Sequence, residues 1–382
     1  MESSNVDSEN IDEDMDEKLR GDAVGDTMYS ASFITKTLMK LTNEPWTTKV
    51  EEDLCFLWDM TLEKDICEYL LELSYPSLVT DLIKETQENR LIEILIGILA
   101  NIFSVIQDKN KLDIEIVGIL AQVYSEDPLV IVQVMRFIKA VAFFYDKVNF
   151  IDRDVFEQIR FILRSSTNTE LLTITLDTIA KLTDNCKINF NVICGDIIPD
   201  MFTGLIEIKS NNDLGSLDVR TAYVHVMQVI CNISSYQDNS GNILLDEIRS
   251  YSNLCVTEIS HILEYFSVEE NLLPLPNELN FYAEAVLYIF EILKIKSYLV
   301  IFESICKIIA ILLKEDCEEV KLFLKVFKYM VLNGELKDLQ DSVSNVSLES
   351  FHRISRKIKN NNEALSDKLR LIENCCKKSH KT

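Results

Sequence analysis

The feature that most constrains this chain is an apolar residue returning every three to four positions, helix after helix, from about residue 30 to about residue 350. Leu91, Ile94, Leu95, Ile98, Leu99, Ile102 and Ile106 make one stripe, and Ile92, Ile96 and Phe103 fill the other side. A helix that is apolar almost all round has to be buried between neighbours. The same period runs through Val134–Phe144, Leu171–Leu182, Val219–Ile233, Ile301–Leu312 and Val320–Met330. Only 9 Gly and 6 Pro occur in 382 residues, too few for the frequent tight turns of an all-β chain.

Start and stop signals agree with that period. Asp127 precedes Pro128 at a helix start, and Thr167-Asn168-Thr169-Glu170 reads as a capping box with Thr167 as the cap. Pro274-Leu275-Pro276 breaks a helix, Gly334 ends one, and Lys209–Gly215 and Tyr236–Gly241 read as polar loops. The strongest helices end near residues 104, 146, 184 and 234, at intervals of roughly 40 to 50, the period of armadillo and HEAT units. Asn101 and Asn232, in similar apolar surroundings, lie 131 residues apart (232 − 101), about three units of ~44. The spacing predicts an all-α, armadillo/HEAT-like superhelical solenoid of about four to six irregular repeats. Stacked helix pairs would bury one continuous core and leave a long concave surface suited to an extended peptide or a partner helix.

Charge divides the chain into three. Residues 1–20 hold eight acids against two bases and are expected to be a disordered acidic tail. Residues 21–350 are expected to form the solenoid, and residues 351–382 a basic helical cap or tail. The net charge of −24 disfavours nucleic acid and suits basic or extended segments of protein partners, although it also serves solubility alone. The ten cysteines are scattered through apolar helices without a CxxC pair, the usage of a reducing compartment. The first residues show no basic and apolar signal pattern, and Glu93, Asn101, Arg136 and Lys139 interrupt the longest apolar runs. The reading is therefore cytosolic or nuclear, neither secreted nor membrane-bound. No Gly-rich phosphate loop and no GxSxG word occurs, so no enzyme, cofactor or small-molecule substrate is expected.

Gly21-Asp22, Gly25, Thr27 and Tyr29-Ser30, then Leu57-Trp58-Asp59-Met60, then Gly97-Ile98-Leu99 with Asn101, resemble the serum-amyloid-A-like family, whose fold is armadillo-like. Ser165-Ser166-Thr167-Asn168 with Leu171-Leu172 adds to the resemblance, which is densest from about residue 20 to 107. It implies a non-enzymatic nuclear protein associated with cell proliferation, and it brings no catalytic residues.

Three residues are candidates for partner contact. Asn101 and Asn232 could each hold an extended peptide backbone, because an amide side chain both donates and accepts; a cap inside the helix stack is the plainer reading. Trp58 could be an exposed hot spot, against ordinary packing among Leu54, Leu57 and Leu62. A rival enzymatic reading uses two Glu-x-x-His words, Glu258/His261 and Glu349/His352, as ligands of a di-iron-like oxidase, with Glu284, Glu291 or Glu303 completing it. The plainer reading leaves these side chains solvated. Cys375, Cys376 and His380 form an incomplete zinc set. A nuclear-transport-type adaptor is a further alternative, hurt by having only two tryptophans, both before residue 60. The basic C-terminal helix, with Phe351, Ile354 and Ile358 on one side, could cap the stack, fold back over an acidic groove or meet an anionic membrane.

Overall fold

The computed structural model describes residues 19, 22–106, 114–143, 151–184, 197–235, 248–295, 299–343, 346–358 and 363–379. They are helical throughout apart from turns and one isolated bridge between Ala23 and Ser30. They fall into two compact units, one reaching Ile159 and the other beginning at Arg160.

The first unit contains α1 (Ala31–Asn43), α2 (Thr48–Met60), α3 (Lys64–Glu72), α4 (Tyr75–Glu85), α5 (Asn89–Val105), α6 (Ile114–Ala121) and α7 (Pro128–Ala142). Local chemistry starts these helices. The Ser30 hydroxyl accepts from the Phe33 N–H, the Thr47 hydroxyl from Val50 and the Asp127 carboxylate from Leu129, with Pro128 in the first turn. Helices α2, α5 and α7 lie side by side as a front layer; α4 and α6 back it, and α3 packs on α4 and α5. α5 is the central element. From Leu91 to Ala100 every residue is buried, as the all-round apolar pattern requires. Each fully buried Leu or Ile there contributes about 1.5–3 kcal/mol relative to exposure.

Helix α8 (Arg153–Ser165) contains the division. The second unit continues with α9 (Thr169–Thr183), α10 (Ile197–Asn211), α11 (Leu217–Ser235), α12 (Ser252–Phe266), the short α13 (Glu269–Leu272), α14 (Leu279–Leu293), α15 (Leu299–Lys314), α16 (Val320–Asn333), α17 (Leu336–Ser342), α18 (Leu348–Ile358) and α19 (Glu363–Ser379). Its front layer runs α9, α11, α14, α16, α19, each helix touching the next; α10, α12, α15 and α18 stand behind. Every helix packs on close sequence neighbours, the arrangement expected when no helix pair can bury its own apolar faces.

Some boundaries differ from the sequence reading. Asn168, not Thr167, caps α9, its side-chain oxygen accepting from the Leu171 N–H at 2.9 Å; an amide oxygen serves there as well as a hydroxyl. Helix α10 runs through Lys209 to Asn211, because Ile208 is buried and holds the last turn down. Gly334 does end α16, in extended rather than left-handed backbone (φ −73°, ψ 157°). The loop read at Tyr236–Gly241 lies outside the described residues.

Candidate functional site

A polar lane crosses the front layer of the first unit. At the end of α2 the Thr61 hydroxyl donates to the Trp58 carbonyl (2.5 Å). The Asn101 amide on α5 donates to the Thr61 oxygen (2.9 Å) and its carbonyl accepts from Arg136 Nη2 on α7 (2.9 Å). Arg136 Nη1 in turn donates to Gln133 Oε1 (2.6 Å). Asn101 thus keeps one N–H and one lone pair beyond these bonds. One helical turn away the half-buried Trp58 lies across Gly97, so closely that a Cβ at Gly97 would stand 2.1 Å from ring atom Cζ2. About two turns further along α5, Arg90 bridges Glu51 and Glu93, both at 2.9 Å.

The second unit repeats the device. On α9 the Thr183 hydroxyl donates to the Ile179 carbonyl (2.8 Å). The Asn232 amide on α11 donates to the Ala180 carbonyl (3.1 Å) and the Thr183 oxygen (3.2 Å), and its carbonyl accepts from Gln228 Nε2 (2.6 Å). In both units an asparagine ties its helix to a threonine at the C-terminal end of the preceding front helix. Asn101, Trp58 and their partners are brought together on one face; Asn232 stands in the other unit. Sequence reasoning passed over Thr61, Thr183 and Arg136. The signal available was a Thr following each helix's last apolar residue (Met60-Thr61, Leu182-Thr183).

The two Glu-x-x-His words fare differently from the metal reading. Glu258 and His261 do share one side of α12, with His261 Nδ1 3.3 Å from Glu258 Oε2. The ammonium of Lys209 on α10 already stands there, 2.6 Å from Glu258 Oε2 and 3.0 Å from His261 Nδ1, so a lysine supplies the positive charge a metal would bring. Nor is Glu258 solvated: it is buried, and the buried Tyr223 hydroxyl donates to it at 2.8 Å. Burial alone pushes the Glu258 carboxyl up, but the bonds from Lys209, Tyr223 and His261 outweigh it and hold the group below the usual carboxylate range. In the second word His352 Nε2 faces Glu373 of α19 at 3.3 Å, while Glu349 is exposed. Glu303 pairs with Lys307 (2.6 Å), and Glu284 and Glu291 are exposed on α14. Among the described residues no set of three His, Cys, Asp or Glu side chains is arranged to hold a metal; His380 and the side chains of Cys375 and Cys376 lie outside them. Burial pushes the Cys67, Cys231 and Cys255 thiols up to about 12, the state of packing groups rather than nucleophiles.

The basic C-terminal helices spend charge on helix ends. Lys368 Nζ donates to the carbonyls of Leu332 (2.9 Å) and Gly334 (3.2 Å), where α16 ends, and Arg353 reaches the Leu313 carbonyl near the end of α15 (3.4 Å). Phe351, Ile354, Ile358, Leu365, Leu369 and Ile372 are buried beneath. Among the described residues no helix is long and apolar enough to cross a membrane.

Layered helices in sequence order, tied by side chains from front helix to front helix, define an armadillo-like all-α helical repeat scaffold. The chain is homologous to the vertebrate SAAL1 (serum amyloid A-like 1) proteins. It is 25% identical over 245 residues to Protein saal1 of Danio rerio, covering 56% of this chain and 52% of that protein, and 26% identical over 194 residues to Protein SAAL1 of Homo sapiens, covering 43% and 40%. The chain thus spans about half the length of the curated relatives it matches. No family model matches. Among solved structures, an engineered protein aligns over 98% of this chain with a TM-score of 0.51 at 13% identity, a likeness of fold alone.

Proposed function

We propose that the chain is a non-enzymatic interaction scaffold whose front layers hold a basic or extended segment of another protein. The observation carrying this reading is the lane Thr61–Asn101–Arg136–Gln133 with Trp58 beside it: Asn101, Arg136 and Trp58 are half-buried on the front helices over the buried Thr61 and Gln133, and Asn101 keeps hydrogen-bonding capacity beyond its bonds. The net charge of −24 favours a basic partner. Work in the nucleus linked to cell proliferation is part of the proposal and rests on the likeness to the serum-amyloid-A-like family.

The test is affinity capture from nuclear extract with the full chain and with Asn101→Ala and Trp58→Ala variants, scored against folded fraction by circular dichroism. Loss of a defined set of basic partners in folded variants supports the reading. Equal capture by wild type and both variants overturns it. A nuclear-transport-type adaptor would appear as capture of transport substrates by the same face.

A further inference from the structure

An open pocket of about 420 Å³ lies on the back layer of the second unit, lined by Lys209, Leu214, His261, Glu264 and Tyr265. It is separate from the front-layer lane, so its fate does not decide that reading. Its floor looks cationic in the sequence and is not. The Lys209 charge is taken up by buried Glu258 at 2.6 Å. His261 Nδ1 lies 3.0 Å from the same ammonium and 3.3 Å from the same carboxylate oxygen, so the three groups close on one another. One wall is the Tyr265 ring, set by the α10–α11 turn: a Cβ on Gly215 would stand 2.1 Å from the Tyr265 hydroxyl, so only glycine lets the ring lie there. Leu214 supplies an aliphatic wall. At the rim Glu264 is exposed, and among the described residues its carboxylate has no cation paired with it.

A neutralised floor, a tyrosine face, an aliphatic wall and one unpaired carboxylate match one ligand class. The geometry points to a pocket for an arginine side chain of a partner protein. The guanidinium would pair with Glu264, its plane would lie against Tyr265 and its methylenes against Leu214. An anion would meet Glu264 with no cation free to hold it, and a purely apolar group would leave that carboxylate to be desolvated for nothing. The chain's net charge of −24 attracts arginine-bearing partners and repels acidic ones.

The experiment titrates the full chain, with tyrosine and histidine rings isotopically labelled, with acetyl-arginine amide and with its uncharged isostere acetyl-citrulline amide. Saturable shifts of the Tyr265 and His261 ring signals are expected with arginine and not with citrulline. Glu264→Gln, a surface change that leaves the fold alone, is expected to weaken binding about fivefold, the worth of an exposed ion pair. Gly215→Ala, which displaces the Tyr265 ring, is expected to weaken it as well, with Glu264 intact. Equal shifts from citrulline, no shift at either ring, saturable binding of acetate, or an unchanged Glu264→Gln affinity would each overturn the proposal.

Discussion

At the residue scale the structure turns on a few side chains that stand where their neighbours leave no slack. Gly97 is one. Its missing side chain is the space the Trp58 ring occupies. Gly97→Ala is therefore expected to cost about 1–3 kcal/mol, the penalty of overpacking, rather than to gain the usual helix-propensity benefit of alanine; urea unfolding of the two proteins decides the sign. Glu258 is another. Its ionised form is stabilised in the folded chain by Lys209 and Tyr223, so its pKa is lower folded than unfolded. A group of that kind contributes stability that is complete above the unfolded value, about 4.3, and is lost as pH falls through the folded value. The stability gap between wild type and Glu258→Gln should be widest above about pH 5 and shrink below about pH 4. Thermal melts across pH 3–7 (about that range) would show it, and a gap constant with pH would contradict the assignment.

At the scale of elements, what holds one helix to the next is often a single buried polar contact set among apolar ones. Arg160 on α8 and Asp200 on α10 meet at 2.8 Å with side chains 8% exposed on both sides. Asp200→Ala takes the 2.8 Å carboxylate partner away from a buried guanidinium, so it should destabilise by about 3–5 kcal/mol. The exposed pair Lys321–Glu318 (3.1 Å) should lose less than about 1 kcal/mol on the equivalent change. Denaturant titration of both variants measures the contrast. The threonine–asparagine ties belong to the same scale. Thr61–Asn101 and Thr183–Asn232 each tie the end of one front helix to the next: the asparagine amide donates to the threonine hydroxyl, the Thr61 hydroxyl donates to the Trp58 carbonyl, and Asn232 also donates to the Ala180 carbonyl.

For the whole molecule, the ends of a helical stack set its solubility. In the second unit α18 and α19 cover α15, α16 and α17 with six buried apolar side chains and give Lys368 to the open end of α16. Truncation after residue 347 would uncover that surface, so the shortened chain is expected to precipitate or to form soluble aggregates by size-exclusion chromatography. A monodisperse truncated chain of unchanged melting temperature would mean that the two helices are dispensable and that their charges serve another purpose.

How far the sequence reached can be followed through particular residues. The all-round apolar stripe of Leu91–Phe103 was enough to demand a buried helix, and the scarcity of Gly and Pro enough to demand an all-α stack, because periodicity and backbone freedom are local properties. Asp127-Pro128 and Gly334 marked helix ends for the same reason. Which side chains meet was not legible. Arg136 lies 35 residues from Asn101, Lys209 lies 49 from Glu258, and the tie of Trp58 to Gly97 spans 39. Nor does composition mark the division near Ile159. The amino-acid order alone determined the helices, their number of apolar faces and the need to stack them. Only the tertiary structure decided that Lys209 would neutralise Glu258, that Tyr265 would stand over Gly215, and which polar groups would stay half-buried rather than buried, because pairing across helices depends on register, and register is settled by the packing of many side chains at once.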